Sequence, residues 1–226
     1  MPQAIALIGG TGAEGRGLAL RFAAAGHEVV VGSRDPARAA AAASEFAATL
    51  AAAGVAGASV RGTDNLAAAA AADLAVIVVP YEAHRATVEA LAEALAGKVV
   101  VDAVVPMRFE RGPRPVEVAE GSATEQAAAL LPASRVVGAF HNVAAAALAD
   151  LGETLHQDVL ITADDAEAKA AVTAVVASVP GLRPVDAGPL RFSRFVEGIT
   201  LLLVGINGRY RAHAGVRIDG LPERAS

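Results

Sequence analysis

Gly10, Gly12 and Gly15 stand in the pattern G-x-G-x-x-G directly after the apolar run AIALI at residues 4–8. That run reads as a buried strand, and the segment beyond the glycines, with Leu18, Leu20 and Phe22 as apolar positions, reads as a helix. Between a strand and a helix the three glycines make a dinucleotide-binding fingerprint. Gly10 permits the tight turn, Gly12 lets the backbone approach a pyrophosphate, and Gly15 allows helix and strand to pack closely. Free N–H groups and the helix dipole at that terminus suit phosphate oxygens. No G-K-[ST] follows, which excludes a P-loop. A second strand, EVVV at residues 28–31, runs out at Gly32-Ser33-Arg34. NAD-binding proteins place Asp or Glu near this point to accept hydrogen bonds from ribose hydroxyls. Here Ser33 offers a hydroxyl and Arg34 a guanidinium, while Asp35 falls beyond the usual acidic position. An Arg fork suits a 2′-phosphate in both charge and geometry. Arg38, one helical turn on, either joins it or is a solvated helix residue. NADP(H) is therefore expected in preference to NAD(H).

Other candidates sit where later strands run out, the edge at which doubly wound sheets bind ligands. Val79-Pro80-Tyr81 and nearby His84 follow one strand, Val105-Pro106-Met107 the next, and Phe140-His141-Asn142 a third. Tyr81 and His84 either flank a nicotinamide ring or merely close a turn. His141, at an apolar strand end, is either a cleft residue or a satisfied structural histidine. The five His and 24 acidic residues show no metal-binding spacing, and H-E-x-x-H, an EF-hand loop and a G-x-S-x-G elbow are all missing. No metal is expected, and hydrolysis is disfavoured.

Composition narrows the remaining classes. About a quarter of the 226 residues are Ala, so the 54% hydrophobic content and the mean hydropathy of +0.45 overstate the core. Aromatics at 4% with no Trp argue against base-stacking platforms. A net charge of -5 and a pI near 5.5 argue against general nucleic-acid binding. The absence of Cys excludes disulfides, thiolate nucleophiles and Cys-held metals. No apolar run approaches the roughly 20 residues of a membrane span, and Met1-Pro2-Gln3 lacks a basic n-region. A cytoplasmic protein with small-molecule partners, and neither nucleic acid nor membrane, is expected.

The elements that position these residues alternate regularly. Helices are expected over 36–53, 65–72 (capped by Thr63 or Asp64), 87–95, 123–131 and 165–179. Strands are expected over 54–61, 74–79, 98–101, 135–140 and 159–162, with a closing segment at 182–186. Such alternation predicts an α/β fold of the Rossmann type, with a doubly wound, mainly parallel sheet. Beyond Gly188-Pro189 a single apolar segment, 192–206, reads as a small C-terminal helical appendage. Apolar nearly all round, it must be buried. Two segments follow: a dinucleotide-binding domain over 1–187 and a helical segment over 188–226.

Taken together, IALIGGTGAEGRGLALRFAAAGHEVVVGSR (5–34), VVGAFHNV (136–143) and PGLRPVDAGPL (180–190) with Arg194 and Glu197 resemble the NADPH-dependent F420 reductases, also called F420H2:NADP oxidoreductases. The likeness spans nearly the whole chain in order. It implies an NADP site at Thr11, Gly12, Ala13 and Glu14, beside Gly10 and Gly15, and at Ser33, Arg34 and Arg38. It further implies contacts from Val79 and His84, joined by Met107 at its strand end, and from His141, Asn142 and Ala145 in the cleft segment. Where the family often has a Pro nearby, this sequence has alanines. The implied reaction is reversible hydride transfer between nicotinamide carbon 4 and carbon 5 of the deazaflavin coenzyme F420, with His141 positioning the ring. The anionic deazaflavin tail would meet Arg108, Arg111 and Arg114, or Arg191, Arg194, Arg209 and Arg211. The 192–206 helix would supply a homodimer interface, and Arg194 and Glu197, three apart, would pair along one face. Two alternatives stand beside this reading: a reductase using another acceptor (flavin, imine or ferric chelate), and a non-catalytic NADP-sensing protein.

Overall fold

Alternation along the first strands decides the architecture. In β1 (Ala4–Ile8) and β2 (Glu28–Ser33), Ile5, Leu7, Val29 and Val31 enter one core, while Ala6, Ile8 and Val30 enter another on the opposite face. A strand apolar on both faces must be covered on both. The computed structural model describes residues 2–221; Met1 and residues 222–226, the outer ends of the two expected segments, lie outside the described residues. The chain continues through β3 (Ser59–Asp64), β4 (Leu74–Ile77), β5 (Val99–Asp102), a hairpin of β6 (Met107–Phe109) and β7 (Pro113–Pro115), β8 (Arg135–Gly138), β9 (Gln157–Thr162) and β10 (Leu182–Gly188). The main sheet has the order β10-β9-β8-β5-β4-β1-β2-β3. Its pairings are parallel except for the short antiparallel meeting of β8 and β9 at Gly138 and Thr162. This is the doubly wound, Rossmann-type α/β sheet.

Helices α1 (Ala13–Ala24), α2 (Pro36–Ala52), α3 (Asn65–Ala71), α4 (Tyr81–Leu95), α5 (Ala123–Leu130), α6 (Ala145–Ala149) and α7 (Ala166–Ser178) flank the sheet, and α8 (Ser193–Tyr210) follows a 3₁₀ turn at Leu190–Phe192. Asp35, Asp64, Ser122 and Asp165 cap α2, α3, α5 and α7 by accepting first-turn N–H groups. Helix α4 starts at Tyr81 rather than at 87, because Pro80 enters it with φ -56° and ψ 145° and its carbonyl accepts the Ala83 N–H. The β6–β7 hairpin and α6 form in stretches where no helix or strand was expected. Arg21 of α1 explains how five residues hold as α6: its guanidinium donates to the carbonyls of Ala147, Leu148, Asp150 and Glu153. Such a cation at a helix end satisfies carbonyls that would otherwise be unpaired.

Within the single chain the C-terminal helix, expected to be buried in a homodimer interface, is open over most of its length. Only Ser193, Val196 and Glu197 of α8 are buried, while Phe195 and Leu202 are 65% and 67% exposed. Past Arg211 the chain doubles back to the sheet as a strap. Asn207 holds Ala214 through two hydrogen bonds (2.8 and 3.2 Å), and the Asp158 N–H donates to the Val216 carbonyl at 2.8 Å. The Asp158 carboxylate accepts from the Ile218 N–H and from Arg183, both at 2.7 Å.

Candidate functional site

The glycine turn is built by backbone proximity. Gly10 donates its N–H to the Leu7 carbonyl (3.1 Å) and to the Gly32 carbonyl (3.0 Å), drawing the ends of β1 and β2 together. The left-handed conformation falls on Gly9 (φ +76°), one residue before the position expected to need it. Gly10 must be glycine for another reason: a Cβ there would stand 2.7 Å from Leu7 Cβ. A Cβ on Gly15 would lie 2.4 Å from the Cα and carbonyl oxygen of Gly10, so helix and turn touch backbone to backbone. Gly12 has open space around its Cβ position and no side-chain cap above it. The start of α1 is thus a bare cradle of N–H groups, which fits a pyrophosphate.

On the β2 side of the cradle, Ser33 is buried and its Oγ accepts the Asp35 N–H at 3.2 Å. The Asp35 carboxylate is spent on α2, accepting from Ala37 (2.9 Å) and Arg38 (3.3 Å). The acid nearest the ribose position is therefore turned into a helix cap. Arg34 and Arg38 are exposed, and among the described residues neither guanidinium has a partner. An unpaired Arg pair beside a seryl hydroxyl fits a 2′-phosphate.

On the other side of β1, across the point where strand order reverses, lies a cleft of about 560 Å³. Its walls are Glu14, residues 78–82 after β4, 103–105 after β5, 140–146 after β8, the start of the β6–β7 hairpin including Met107 and Arg108, and one face of α8. Val79, Met107, His141, Asn142 and Ala145 all line it. Asn142 does so with its side chain engaged behind the wall, its amide donating to the Asp158 carbonyl at 2.6 Å. Phe140, at φ +68°, carries the strained turn that swings the chain from β8 into this wall.

His84 is the sequence candidate that the structure removes from the cleft. It is wholly buried beneath the wall, with Nε2 2.6 Å from Asp102 Oδ2 and Nδ1 3.0 Å from Gln126 Oε1. Burial pulls its pKa down, but the hydrogen bond and charge of Asp102, with Gln126, outweigh this and raise it. Tyr81, stacked on the His84 ring, takes the cleft position instead. Asp102 could have been noticed as the one acid closing the apolar strand VVVD.

A second buried group ties α8 to the sheet. Glu197 accepts hydrogen bonds from the N–H groups of Ala123 and Thr124 (both 3.1 Å) and from Thr124 Oγ1 (3.0 Å), capping α5 from outside. Burial, aided by the Asp102 charge, still pushes its pKa up to about 8. Arg194 does not pair with it; Arg194 reaches Glu125 at 3.0 Å instead. His141 sits beside this group, Nε2 3.9 Å from Glu197 and 3.4 Å from Thr124 Oγ1, and its backbone carbonyl accepts from Thr200 at 2.7 Å. Burial lowers its pKa to about 4, so the ring is neutral at pH 7. Its Nδ1 has no partner among the described residues.

Residues 4–106 match the family described as NADP oxidoreductase, coenzyme F420-dependent. Over 99% of its length the chain is 41% identical to the F420-dependent NADP reductase of Methanothermobacter thermautotrophicus, spanning 98% of that protein. The chain belongs to the F420-dependent NADP reductase family. It is 38% identical to the F420-dependent NADP reductase of Methanocaldococcus jannaschii over 96% of this chain and 98% of that one. A crystal structure from Arthrobacter, described as a candidate F420-dependent NADP reductase, superposes with a TM-score of 0.78 at 29% identity, covering 93% of this chain and 96% of that one. In this member of the F420-dependent NADP reductase family, the Arg pair beyond β2, the bare cradle beyond β1 and the cleft beyond β4, β5 and β8 follow one another as a track along one edge of the sheet.

Proposed function

We infer that the chain catalyses reversible hydride transfer between NADP(H) and coenzyme F420. The observation that carries this reading is the track itself. A bare turn of N–H groups lies between an unpaired Arg pair and a mostly apolar cleft whose wall holds a neutral histidine. Thr11, Gly12, Ala13 and Glu14 would present the turn to the pyrophosphate, with Gly10 and Gly15 shaping it. Ser33, Arg34 and Arg38 would hold the 2′-phosphate, and Val79, Met107 and Ala145 would bound the nicotinamide end. Bound together, the two cofactors supply the chemistry, a hydride passing between nicotinamide carbon 4 and deazaflavin carbon 5. The chain's work is to stack the rings at about 3–3.5 Å and keep water out. His141, neutral and anchored through Thr200, would position the deazaflavin rather than protonate it. Arg108, which lines the cleft and pairs with Glu110 at 3.2 Å, would meet the deazaflavin's anionic tail. A small-molecule enzyme of the cytoplasm, without a nucleic-acid partner, fits this reading.

The test mixes purified protein with NADPH and oxidised deazaflavin and follows loss of visible absorbance. Bleaching with NADPH but not NADH is expected. In the Arg34→Ala variant the KM for NADPH should rise about 10–100-fold, the worth of a charge-assisted hydrogen bond, with NADH use unchanged. Binding of NADPH without bleaching would move the assignment to another acceptor or to a sensor.

The exposed face of α8 supports a homodimer. Phe195, Ile199, Leu202 and Ile206 follow the four–three–four spacing of a coiled-coil seam, and Leu202 at its centre is 67% exposed. A second copy of this helix would cover the seam, while Thr200, Leu203 and Val204 on the other side of α8 line the cleft. Sedimentation equilibrium at micromolar protein should give twice the chain mass, and Leu202→Glu should give the chain mass. A monomeric wild type would refute the pairing.

A further inference from the structure

The backbone of Glu14 belongs to the turn that would face the pyrophosphate, but its side chain has been given no task. Glu14, the second residue of α1, lines the cleft, and its Oε1 is out of contact with water and has no hydrogen-bond partner among the described residues. A buried polar atom with no partner is costly, and in a wall that otherwise faces a ligand it points to one. The direction of the track says which part of the ligand. With the 2′-phosphate at Arg34 and Arg38 beyond β2 and the pyrophosphate over the glycine turn, the remaining end of the dinucleotide, the nicotinamide, must continue past the α1 terminus toward β4. Glu14 lies there, in the same wall as Val79 and Ala145.

Resting on the NADP(H) reading, we propose that Glu14 is a proton-linked sensor of the nicotinamide's redox state, protonated beside the neutral ring of NADPH and ionised beside the cationic ring of NADP+. When the ring gives up its hydride with both electrons, it gains one positive charge. The Glu14 carboxyl then releases one proton, so the local charge is unchanged. Reduction of the deazaflavin takes up a hydride and one proton, so the proton released matches in number the one consumed. Glu14 thereby also sets specificity between the two forms of the cofactor, since an ionised carboxylate favours NADP+ and a neutral one favours NADPH.

The surroundings make the coupling strong. Loss of water alone pushes the Glu14 pKa up to about 8, which places its titration where an adjacent cation can shift it through neutral pH. The charged and titratable groups on neighbouring elements are few. Arg16 of α1 and Glu45 of α2 lie 3.5 Å apart as a pair; Tyr81 and Glu82 begin α4; Arg108 belongs to β6; His141 follows β8; and His213 lies beyond α8. Helix α6 carries none. The α1 dipole favours the carboxylate and a bound pyrophosphate opposes it, but both act equally with either cofactor form.

Calorimetric titration at pH 7 in two buffers of different ionisation enthalpy counts the protons exchanged on binding. Any contribution from the 2′-phosphate is common to NADP+ and NADPH and cancels in the difference. NADP+ is expected to release close to one proton more than NADPH, and its Kd should fall by up to about tenfold per pH unit between pH 6 and 8. In Glu14→Gln both cofactors should still bind and the difference should vanish. Equal proton counts in the wild type, or a difference that survives in Glu14→Gln, would overturn the proposal. Failure of both cofactors to bind the wild type would instead overturn the NADP(H) reading on which it rests.

Discussion

Gly15→Ala is expected to lower the melting temperature by about 5–10 °C and to weaken NADPH binding about 100-fold. The added methyl group would lie 2.4 Å from both the Cα and the carbonyl oxygen of Gly10. Both are backbone atoms, so no rotamer change relieves the contact. Either α1 moves away from β1 or the turn opens. Overpacking of this kind costs about 1–3 kcal/mol, which in a domain of this size is several degrees. The binding loss follows because the peptide groups that would hold the pyrophosphate belong to the displaced turn, and a misplacement of about 1 Å costs on the order of 100-fold. Gly12→Ala is the control. Its Cβ would meet nothing within 4 Å, so its melting temperature should match the wild type, and only NADPH affinity, read by the fluorescence of the bound cofactor, should fall. Equal melting temperatures for the two variants would refute the distinction between a packing glycine and an approach glycine.

Asp102→Ala should cost about 3–5 kcal/mol, the scale for breaking a buried charged pair by removing one member. The carboxylate is fully buried, with one oxygen 2.6 Å from His84 and the other accepting the Val104 N–H at 3.1 Å. Its loss strands the imidazole and frees the β5 exit, where residues 103–105 form cleft wall. The pH dependence has a definite sign. The folded pKa of His84 is raised above its ordinary value of 6.5, so the protonated pair contributes fully below pH 6.5 and fades as pH rises through the folded value. Chemical denaturation should therefore find the largest difference from wild type at pH 6 and a smaller one at pH 9. Asp102→Asn, which keeps an acceptor for the ring and is the safer variant to fold, should show the same trend at smaller amplitude. A penalty that does not change with pH would mean that His84 is never charged.

The sheet was legible because its strands are unmixed. AIALI, EVVV and LAVIVV leave no other way to bury so many branched side chains, and the glycine turn follows one of them. The hairpin of β6 and β7 escaped notice because strands of three residues containing Arg and Pro carry no β signal of their own. Helix α6 was invisible for a different reason. AAALA is held by Arg21, 126 positions away from Ala147, and no local pattern announces a tertiary cap. At the cleft, the places of His141 and Asn142 followed from the strand end they stand at. His84 did not, because α4 begins six residues before its apolar periodicity becomes readable, and that earlier start turns the imidazole inward. Glu197 was visible as half of an R-x-x-E pair, but spacing along one helix gave no hint that its partners would be the N–H groups of α5.

The strap that runs from α8 back to Asp158 gives the cleft an unusual kind of dimension. At one end α8 is clamped by Glu197; at the other it is held by a length of chain fixed at Asn207 and again at the edge of the sheet. The distance between roof and floor is then set like the opening of a hinged box on a stay, by the reach of the stay rather than by the bulk of what lies inside. Ten residues of helix separate Glu197 from Asn207, about 15 Å at 1.5 Å per residue. A tilt of about 8° at the hinge therefore moves the far rim by roughly 2 Å, more than half the spacing between two stacked rings. Lengthening or shortening residues 211–217 would retune the aperture for thicker or thinner ligands without altering a single residue of the hinge.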